Sequence, residues 1–308
     1  MDFYTNVQTY GSFILYRGVM DGKRVKQRID YSPSLYLPTR NVTKPSHFKS
    51  LDGLPLEEKC FDSMREAREF FKKYDGIPGA PKIYGNTRFE YAFISDQHPK
   101  MVDWDIDKVV VANLDIEVGS ENGFPDPYEA NEPITAIGMK FLGGKMIVWG
   151  CGDYDNSLDK ENPGIDIQYI KCKDEWTLCN LFIQHWSLHT PDVVTGWNTK
   201  FFDIPYLVNR FRKILGDDDA RKLSPWYHIS ERKTVVNGRE LAAYNLEGIA
   251  SLDYIELYKW YAPGGKSQES YRLDNIANVE LGERKLSYEE YGNLHNLYKE
   301  NYQLFIEY

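Results

Sequence analysis

Val109-Val110-Val111-Ala112-Asn113-Leu114-Asp115-Ile116-Glu117-Val118 is the stretch on which the reading of this chain turns. β-Branched and apolar residues dominate it, which predicts a strand. Side chains alternate across a strand, so Val110, Ala112, Leu114, Ile116 and Val118 share one face. Asp115 and Glu117 share the other, two residues apart. Carboxylates held side by side repel each other unless a positive charge sits between them. Two readings follow. One is a solvated outer face. The other is a site for a hard divalent cation such as Mg²⁺ or Mn²⁺, which takes oxygen ligands.

Downstream, residues 120–127 read as a loop that presents Phe124. Residues 134–142 and 145–150 are predicted strands joined at Gly143-Gly144. A helix is predicted over 174–189 with Trp176, Cys179, Phe182, Ile183 and Trp186 inward. A short strand over 192–196 leads into Trp197-Asn198-Thr199-Lys200-Phe201-Phe202-Asp203-Ile204-Pro205-Tyr206. A second helix follows over 203–215, burying Ile204, Leu207, Val208, Phe211 and Ile214. This order suits a mixed sheet flanked by helices, with chemistry at strand ends. Asp203 stands at the helix start, where an N-cap is wanted and Pro205 is tolerated. It is either a plain cap or a third carboxylate within reach of a cation held by Asp115 and Glu117, with Asn198 orienting the site through its amide.

Upstream, residues 3–37 read as a β-meander with strands over 3–9, 12–20 and 25–37, turned at Tyr10-Gly11 and Asp21-Gly22. Residues 38–60 read as loop. Ser63 and Glu66 make a capping box for a helix with Met64, Ala67, Phe70, Phe71 and Tyr74 on one face, closed by Gly76. Residues 89–95 read as a further strand. The expected organisation is an N-terminal small α+β domain over 1–107 and a second domain over 108–308, mixed α/β overall.

The chain has 308 residues and a net charge of −9, which argues against a sequence-blind basic wrapper of nucleic acid but not against a local basic groove around an acidic site. Cys60, Cys151, Cys172 and Cys179 show neither a CxxC pair nor zinc spacing, and read as reduced thiols. The N-terminus lacks a basic and an apolar leader region, and no run is long and apolar enough to span a membrane, so a cytoplasmic location without membrane partners is expected.

Taken together, these residues resemble the 3′→5′ exonuclease domain of family B DNA polymerases, closest in type to those of T-even-like bacteriophages. The Asp115-Ile116-Glu117 block resembles the first exonuclease motif, and Gly196-Trp197-Asn198 through Asp203-Ile204-Pro205-Tyr206 the second. Gly123-Phe124-Pro125-Asp126-Pro127 is similar to the phage loop whose Phe packs on unpaired bases. Lys222-Leu223-Ser224-Pro225, Leu252-Asp253-Tyr254 and Tyr271-Arg272-Leu273-Asp274 continue the likeness over essentially the whole chain. The resemblance implies a ribonuclease H-like fold and a site in which Asp115, Glu117 and Asp203 hold two Mg²⁺ or Mn²⁺ ions for hydrolysis of the 3′-terminal phosphodiester. It also implies that Phe124 stacks on a single-stranded 3′ end. Asn237-Gly238 is a strong hairpin signal, and Arg232, Lys233 and Arg239 make that ribbon basic, as in the hairpin phage polymerases use to hold separated strands.

Two departures matter. Nothing matches the polymerase motifs Asp-x-x-Ser-Leu-Tyr-Pro or Tyr-x-Asp-Thr-Asp. The third exonuclease motif, Tyr-x-x-x-Asp, is met only by Tyr308, the last residue. The expectation is a truncated or split polymerase of the host cell cytoplasm. Its DNA primer-template and a second polypeptide with palm, fingers and thumb would be its partners, with a sliding clamp engaged through that second polypeptide. A helix over 294–308 is expected to fray. Two alternatives stay open: a self-sufficient nuclease completed by Asp253 or Asp274, and a non-catalytic nucleic-acid-binding module.

Overall fold

The chain divides into two units, residues 1–108 and 109–308. The computed structural model describes residues 2–39, 47–121, 123–159, 167–236, 239–262 and 268–308.

In the first unit, β1 (Phe3–Tyr10), β2 (Phe13–Met20) and β3 (Lys23–Asp30) form an antiparallel meander. Asp21 and Gly22 both take positive φ, 49° and 75°, as a two-residue hairpin turn matched to strand twist requires. The strand expected over 25–37 is in fact two. Pro33, which has no N–H to give a ladder, separates β3 from β4 (Ser34–Pro38). β4 belongs to a second sheet of order β4-β6-β5, with β5 (Phe48–Lys49) and β6 (Pro55–Cys60), where a loop was expected. Only Leu56 of β6 is buried, so an edge-like polar sequence concealed a strand. Helix α1 (Met64–Lys72) is capped by Ser63, whose Oγ accepts from the Glu66 N–H at 3.2 Å, while Glu66 reaches back to the Asp62 N–H. It ends at Lys72, four residues before Gly76. The strand expected over 89–95 is a helix, α2 (Phe89–Gln97). Phe89 and Phe93, one turn apart, are its buried residues, and the aromatic and β-branched composition masked that spacing.

The second unit is built on a mixed sheet. In chain order it contains β7 (Val111–Val118), β8 (Ile134–Phe141), β9 (Met146–Gly150), β10 (Ile167–Lys171), α3 (Glu175–Leu188), β11 (Val193–Gly196), α4 (Asp203–Ile214) and α5 (Asp217–Ala220). Then come β12 (Ile229–Val236), β13 (Arg239–Leu246), β14 (Ala250–Asp253), α6 (Tyr254–Tyr261), α7 (Leu273–Leu281), α8 (Leu294–Glu300) and α9 (Tyr302–Glu307). The sheet order is β10-β9-β8-β7-β11-β14. β7, β8 and β9 run antiparallel, while β10, β11 and β14 each run parallel to a neighbour. Flanked by helices, this is the architecture expected of a ribonuclease H-like exonuclease domain.

Ala112, Leu114, Ile116 and Val118 point from β7 into one core with Leu178, Cys179, Phe182, Ile183 and Trp186 of α3 and Leu207, Val208 and Phe211 of α4. Trp176, expected inward, is 52% exposed; Leu178 completes the buried stripe instead. Between α3 and α4, Arg210 grips Glu175 with two parallel bonds of 2.7 Å, and Glu175 also accepts from the Ile134 N–H. On the opposite sheet face, Ala136 and Val148 pack against Leu297, Phe305 and Ile306. The helix expected over 294–308 is broken at Asn301, whose side chain caps α9. Phe305 and Ile306 of α9 are buried against the sheet. The four cysteines are free thiols. No described helix is long and apolar enough to cross a membrane.

Candidate active site

β11 pairs with β7 only over Val111–Asn113, so β7 runs on beyond its neighbour with that edge open. The chain leaving β11 turns sharply to fill the gap. A Cβ on Gly196 would lie 2.4 Å from the Leu114 carbonyl oxygen, so the close approach requires glycine. Asn198 follows in the left-handed region, φ 64°. The turn is held by Asp253, whose buried carboxylate accepts from the backbone N–H groups of Asn198 (3.0 Å), Lys200 (3.0 Å) and Ile255 (3.1 Å). Asp203 is thereby delivered to the first position of α4. It does not cap that helix, whose N-cap is Phe202. Its Oδ1 instead accepts from the Ile116 N–H at 3.1 Å, on the open edge of β7 between Asp115 and Glu117.

Three acids thus share one electrostatic environment. Glu117 is pushed up to about 7 by burial first and by the Asp115 charge second. Asp203, 2% exposed, is held well above the usual carboxylate range by burial and then by Asp115, against the pull of the Ile116 N–H. Asp115 keeps solvent access, yet the surrounding protein raises its carboxyl too. The opposing charge is Lys285, which lowers both Asp115 and Glu117. The Lys285 Nζ also donates to the Tyr308 hydroxyl at 3.2 Å and lies 4.4 Å from the centre of that ring. Tyr308 packs edge-on against Tyr288.

The sequence reading missed Lys285, because nothing in the spacing of Arg284-Lys285-Leu286-Ser287 points at an acidic site. Tertiary structure places it there. The Asp274 carboxylate accepts from the Lys285 backbone N–H at 2.9 Å. Asp274 and Asp253, the candidates for completing the acid set, are therefore engaged with backbone donors instead. Asn198 likewise contributes its backbone to the turn. Trp197 secures the same region by donating to the Tyr271 carbonyl.

Phe124 stands 86% exposed, its ring centre 5.5 Å from that of Phe202, the residue preceding Asp203. β12 and β13 form the expected two-stranded ribbon, paired from Ile229 with Leu246 to Val236 with Arg239. Arg232 and Lys233 are exposed on it. Asn237, Gly238 and the Arg239 side chain lie outside the described residues.

The donor set fits a hard divalent cation in its chemistry: three carboxylates, oxygen-only, raised by burial and mutual repulsion that a cation would relieve. It is not a finished cage. Among the described residues no group of three His, Cys, Asp or Glu side chains could hold a metal ion as it stands.

Comparison with known proteins gives the same direction. The model of the DNA polymerase family B exonuclease domain matches residues 77–276. The DNA-directed DNA polymerase of Escherichia phage RB69 is 32% identical over all of this chain and 36% of its own length. That of Enterobacteria phage T4 is 28% identical over all of this chain and 35% of its own. The DNA polymerase catalytic subunit of Equine herpesvirus 2 is 24% identical over 60% of this chain. The chain spans about a third of the length of the two phage relatives.

Proposed function

The chain belongs to DNA polymerase family B, whose exonuclease domain it carries, and on that premise we propose that it is the proofreading 3′→5′ exonuclease part of a phage-type replicative polymerase. The reaction is hydrolysis of the 3′-terminal phosphodiester of DNA, releasing a mononucleotide. The observation that carries this reading is the hydrogen bond from the Ile116 N–H to the Asp203 carboxylate, which keeps a third acid beside Asp115 and Glu117.

Asp115, Glu117 and Asp203 would hold two Mg²⁺ or Mn²⁺ ions, whose chemistry when bound is to acidify the attacking water and stabilise the leaving 3′-oxygen. Glu117, raised to about 7, can take or release a proton at its carboxyl near neutral pH. Lys285 favours the ionised forms of Asp115 and Glu117 against the burial that raises both, and its ammonium holds the Tyr308 hydroxyl, which would orient the reacting phosphate or water. Phe124, resting on Phe202, offers an exposed ring to an unpaired base. Separating a correct pair costs energy, so frayed and mismatched ends are preferred. Arg232, Lys233 and Arg239 supply positive charge along the ribbon for the DNA backbone. A second polymerase polypeptide with palm, fingers and thumb is the partner part that acts with this chain. A sliding clamp engages through that part, in the host cell cytoplasm.

The test is release of mononucleotides from 3′-labelled single strands and mismatched duplexes, by the chain alone and with the remaining polymerase sequence supplied. Cation-dependent release that is faster at unpaired ends and abolished by Asp115→Asn or Asp203→Asn is expected. No release from either substrate, under Mg²⁺ or Mn²⁺ and with the remainder present, would overturn the reading.

A further inference from the structure

The hairpin and the Phe124 loop are joined by a single hydroxyl. Tyr128 lies four residues beyond Phe124, and its Oη both donates to the Ala242 carbonyl and accepts from the Ala242 N–H, each at 3.1 Å. The N–H and C=O of one strand residue leave the backbone on the same side, so one hydroxyl reaches both. Ala242 belongs to β13, in a ribbon of only two strands, where such groups otherwise face solvent. A second link runs in parallel. The Asn209 amide of α4 donates to the Pro127 carbonyl at 3.1 Å and accepts from the Tyr244 hydroxyl of β13 at 3.1 Å. Asp126 fixes the loop's own turn by accepting from the N–H groups of Tyr128 (2.7 Å) and Glu129 (3.1 Å). Arg210 then holds the Ala130 and Asn131 carbonyls against α4. Loop, ribbon and the helix that begins at Asp203 are therefore one connected piece, and Phe124 projects from it.

The geometry points to Tyr128 as a positioning residue that couples the β12–β13 hairpin to the Phe124 loop. DNA strands parted by the hairpin thereby set where the terminal unpaired base meets Phe124. The inference rests on the exonuclease reading above, and concerns how that site selects duplex ends. The hairpin is the long, exposed element on which a duplex would press, and the loop carries the ring that receives the freed base. A hydroxyl bonded to the strand backbone transmits displacement whatever the ribbon's side chains are. Tyr128→Phe removes that connection while leaving the ring in place.

The experiment uses the 308-residue chain with Ca²⁺ in place of a catalytic cation, bound to DNA with 2-aminopurine at its 3′ end, either single-stranded or mismatched in a duplex. Fluorescence reports transfer of the terminal base, and hydrogen exchange reports the Ala242 amide. Tyr128→Phe removes both bonds to Ala242 and is expected to lower base transfer from the mismatched duplex about fivefold or more, with single-strand binding kept and Ala242 exchange faster. In a chain lacking residues 232–243, which include Ala242, the same substitution should make no further difference, since the hydroxyl then has no ribbon backbone to bond. Equal losses on both DNAs, unchanged Ala242 exchange, or additive effects in the deleted chain would overturn the coupling. Failure of the unaltered chain to bind either DNA, alone and with the remaining polymerase sequence supplied, would overturn the exonuclease reading and the coupling with it, and is told apart because it precedes any substitution.

Discussion

The Asp203 carboxylate accepts the Ile116 backbone N–H at 3.1 Å, so a side chain from α4 completes the hydrogen bonding of the central strand where β11 stops short. Its position is thus set by the sheet and not by its own helix. The residue between Asp115 and Glu117 provides the bond, which makes the relative placement of the three acids a property of the backbone.

That arrangement separates charge from geometry. Asp203→Asn keeps an oxygen to accept from Ile116 but removes a negative charge buried beside Asp115. The expected outcome is a folded protein of equal or higher melting temperature at neutral pH, with 3′-end excision reduced about a hundredfold or more. Asp203→Ala should lose excision and also melt lower, because the Ile116 N–H is left without its acceptor, at a cost of about 1–3 kcal/mol. Thermal melts and single-turnover excision distinguish the two variants.

Glu117 gives a pH dependence with a definite sign. Its carboxyl rises from 4.5 to about 7 on folding, through burial and then Asp115. Between those values the native state binds a proton more tightly than the unfolded chain, so this group's contribution to stability falls as pH rises through the window. In chelator-treated buffer, Glu117→Gln should therefore raise the melting temperature more at about pH 8 than at about pH 4, where the carboxyl is mostly protonated in both states. An equal shift at both pH values would remove the titration from the account.

A divalent cation should act in the opposite sense. Mg²⁺ or Mn²⁺ among these acids favours their ionised forms and binds only the folded chain, so adding it raises the melting temperature as RT ln(1 + [L]/Kd). The rise should be larger at about pH 8 than at about pH 5, since at the lower pH the ion must displace protons. Chelation should reverse it, and Asp115→Asn should diminish it at both pH values. Calorimetric melts over a cation titration provide the check.

The Arg210–Glu175 pair is the structural counterpart, and its loss should be felt in stability first. Both side chains are largely buried, 11% and 17% exposed, and Glu175 also accepts from Ile134. Arg210→Met leaves the Glu175 charge enclosed and frees the Ala130 and Asn131 carbonyls. A loss of about 3 kcal/mol in denaturant unfolding is expected, well beyond that of an exposed ion pair such as Arg65 with Glu69.

What could be read in advance followed from local pattern. Val111 to Val118 alternates strictly, so the face carrying Asp115 and Glu117 was legible, as was the buried face of α4 from its helical spacing. The ribbon was legible from its turn signal. Helix α2 was not, because Phe89-Glu90-Tyr91-Ala92-Phe93-Ile94 is rich in strand-forming side chains and only packing of Phe89 and Phe93 selects the helix. β10 and β14 escaped notice because short outer strands carry little alternation. Asp203 was legible as an acid at a helix start, but its bond to Ile116 joins residues 87 apart and depends on the sheet. The same holds for Lys285, brought to the acids by Asp274, and for Tyr128, which meets a strand 114 residues away.

Lys285 supports the last prediction. Its ammonium lowers both Asp115 and Glu117, and its hydrogen bond to Tyr308 fixes that hydroxyl nearby. Lys285→Met withdraws the positive charge, so both carboxyls rise further above their ordinary values. More of each is then protonated at a given pH, and the acid limb of the excision profile should move to higher pH. The direction is set because the limb reports the loss of ionised carboxylate, and the substitution favours the neutral form. Cations compete with protons for the same oxygens, so the displacement should be largest at limiting Mg²⁺ and shrink as Mg²⁺ approaches saturation. Lys285→Arg retains the charge and should restore the limb, even where altered donor geometry lowers the maximum rate. Tyr308→Phe should lower the rate with little movement of the limb, because the hydroxyl is neutral. Rate profiles at two Mg²⁺ concentrations for the three variants provide the measurement. A Lys285→Met limb that stays in place at limiting Mg²⁺ would mean that this ammonium does not govern the ionisation of the acids.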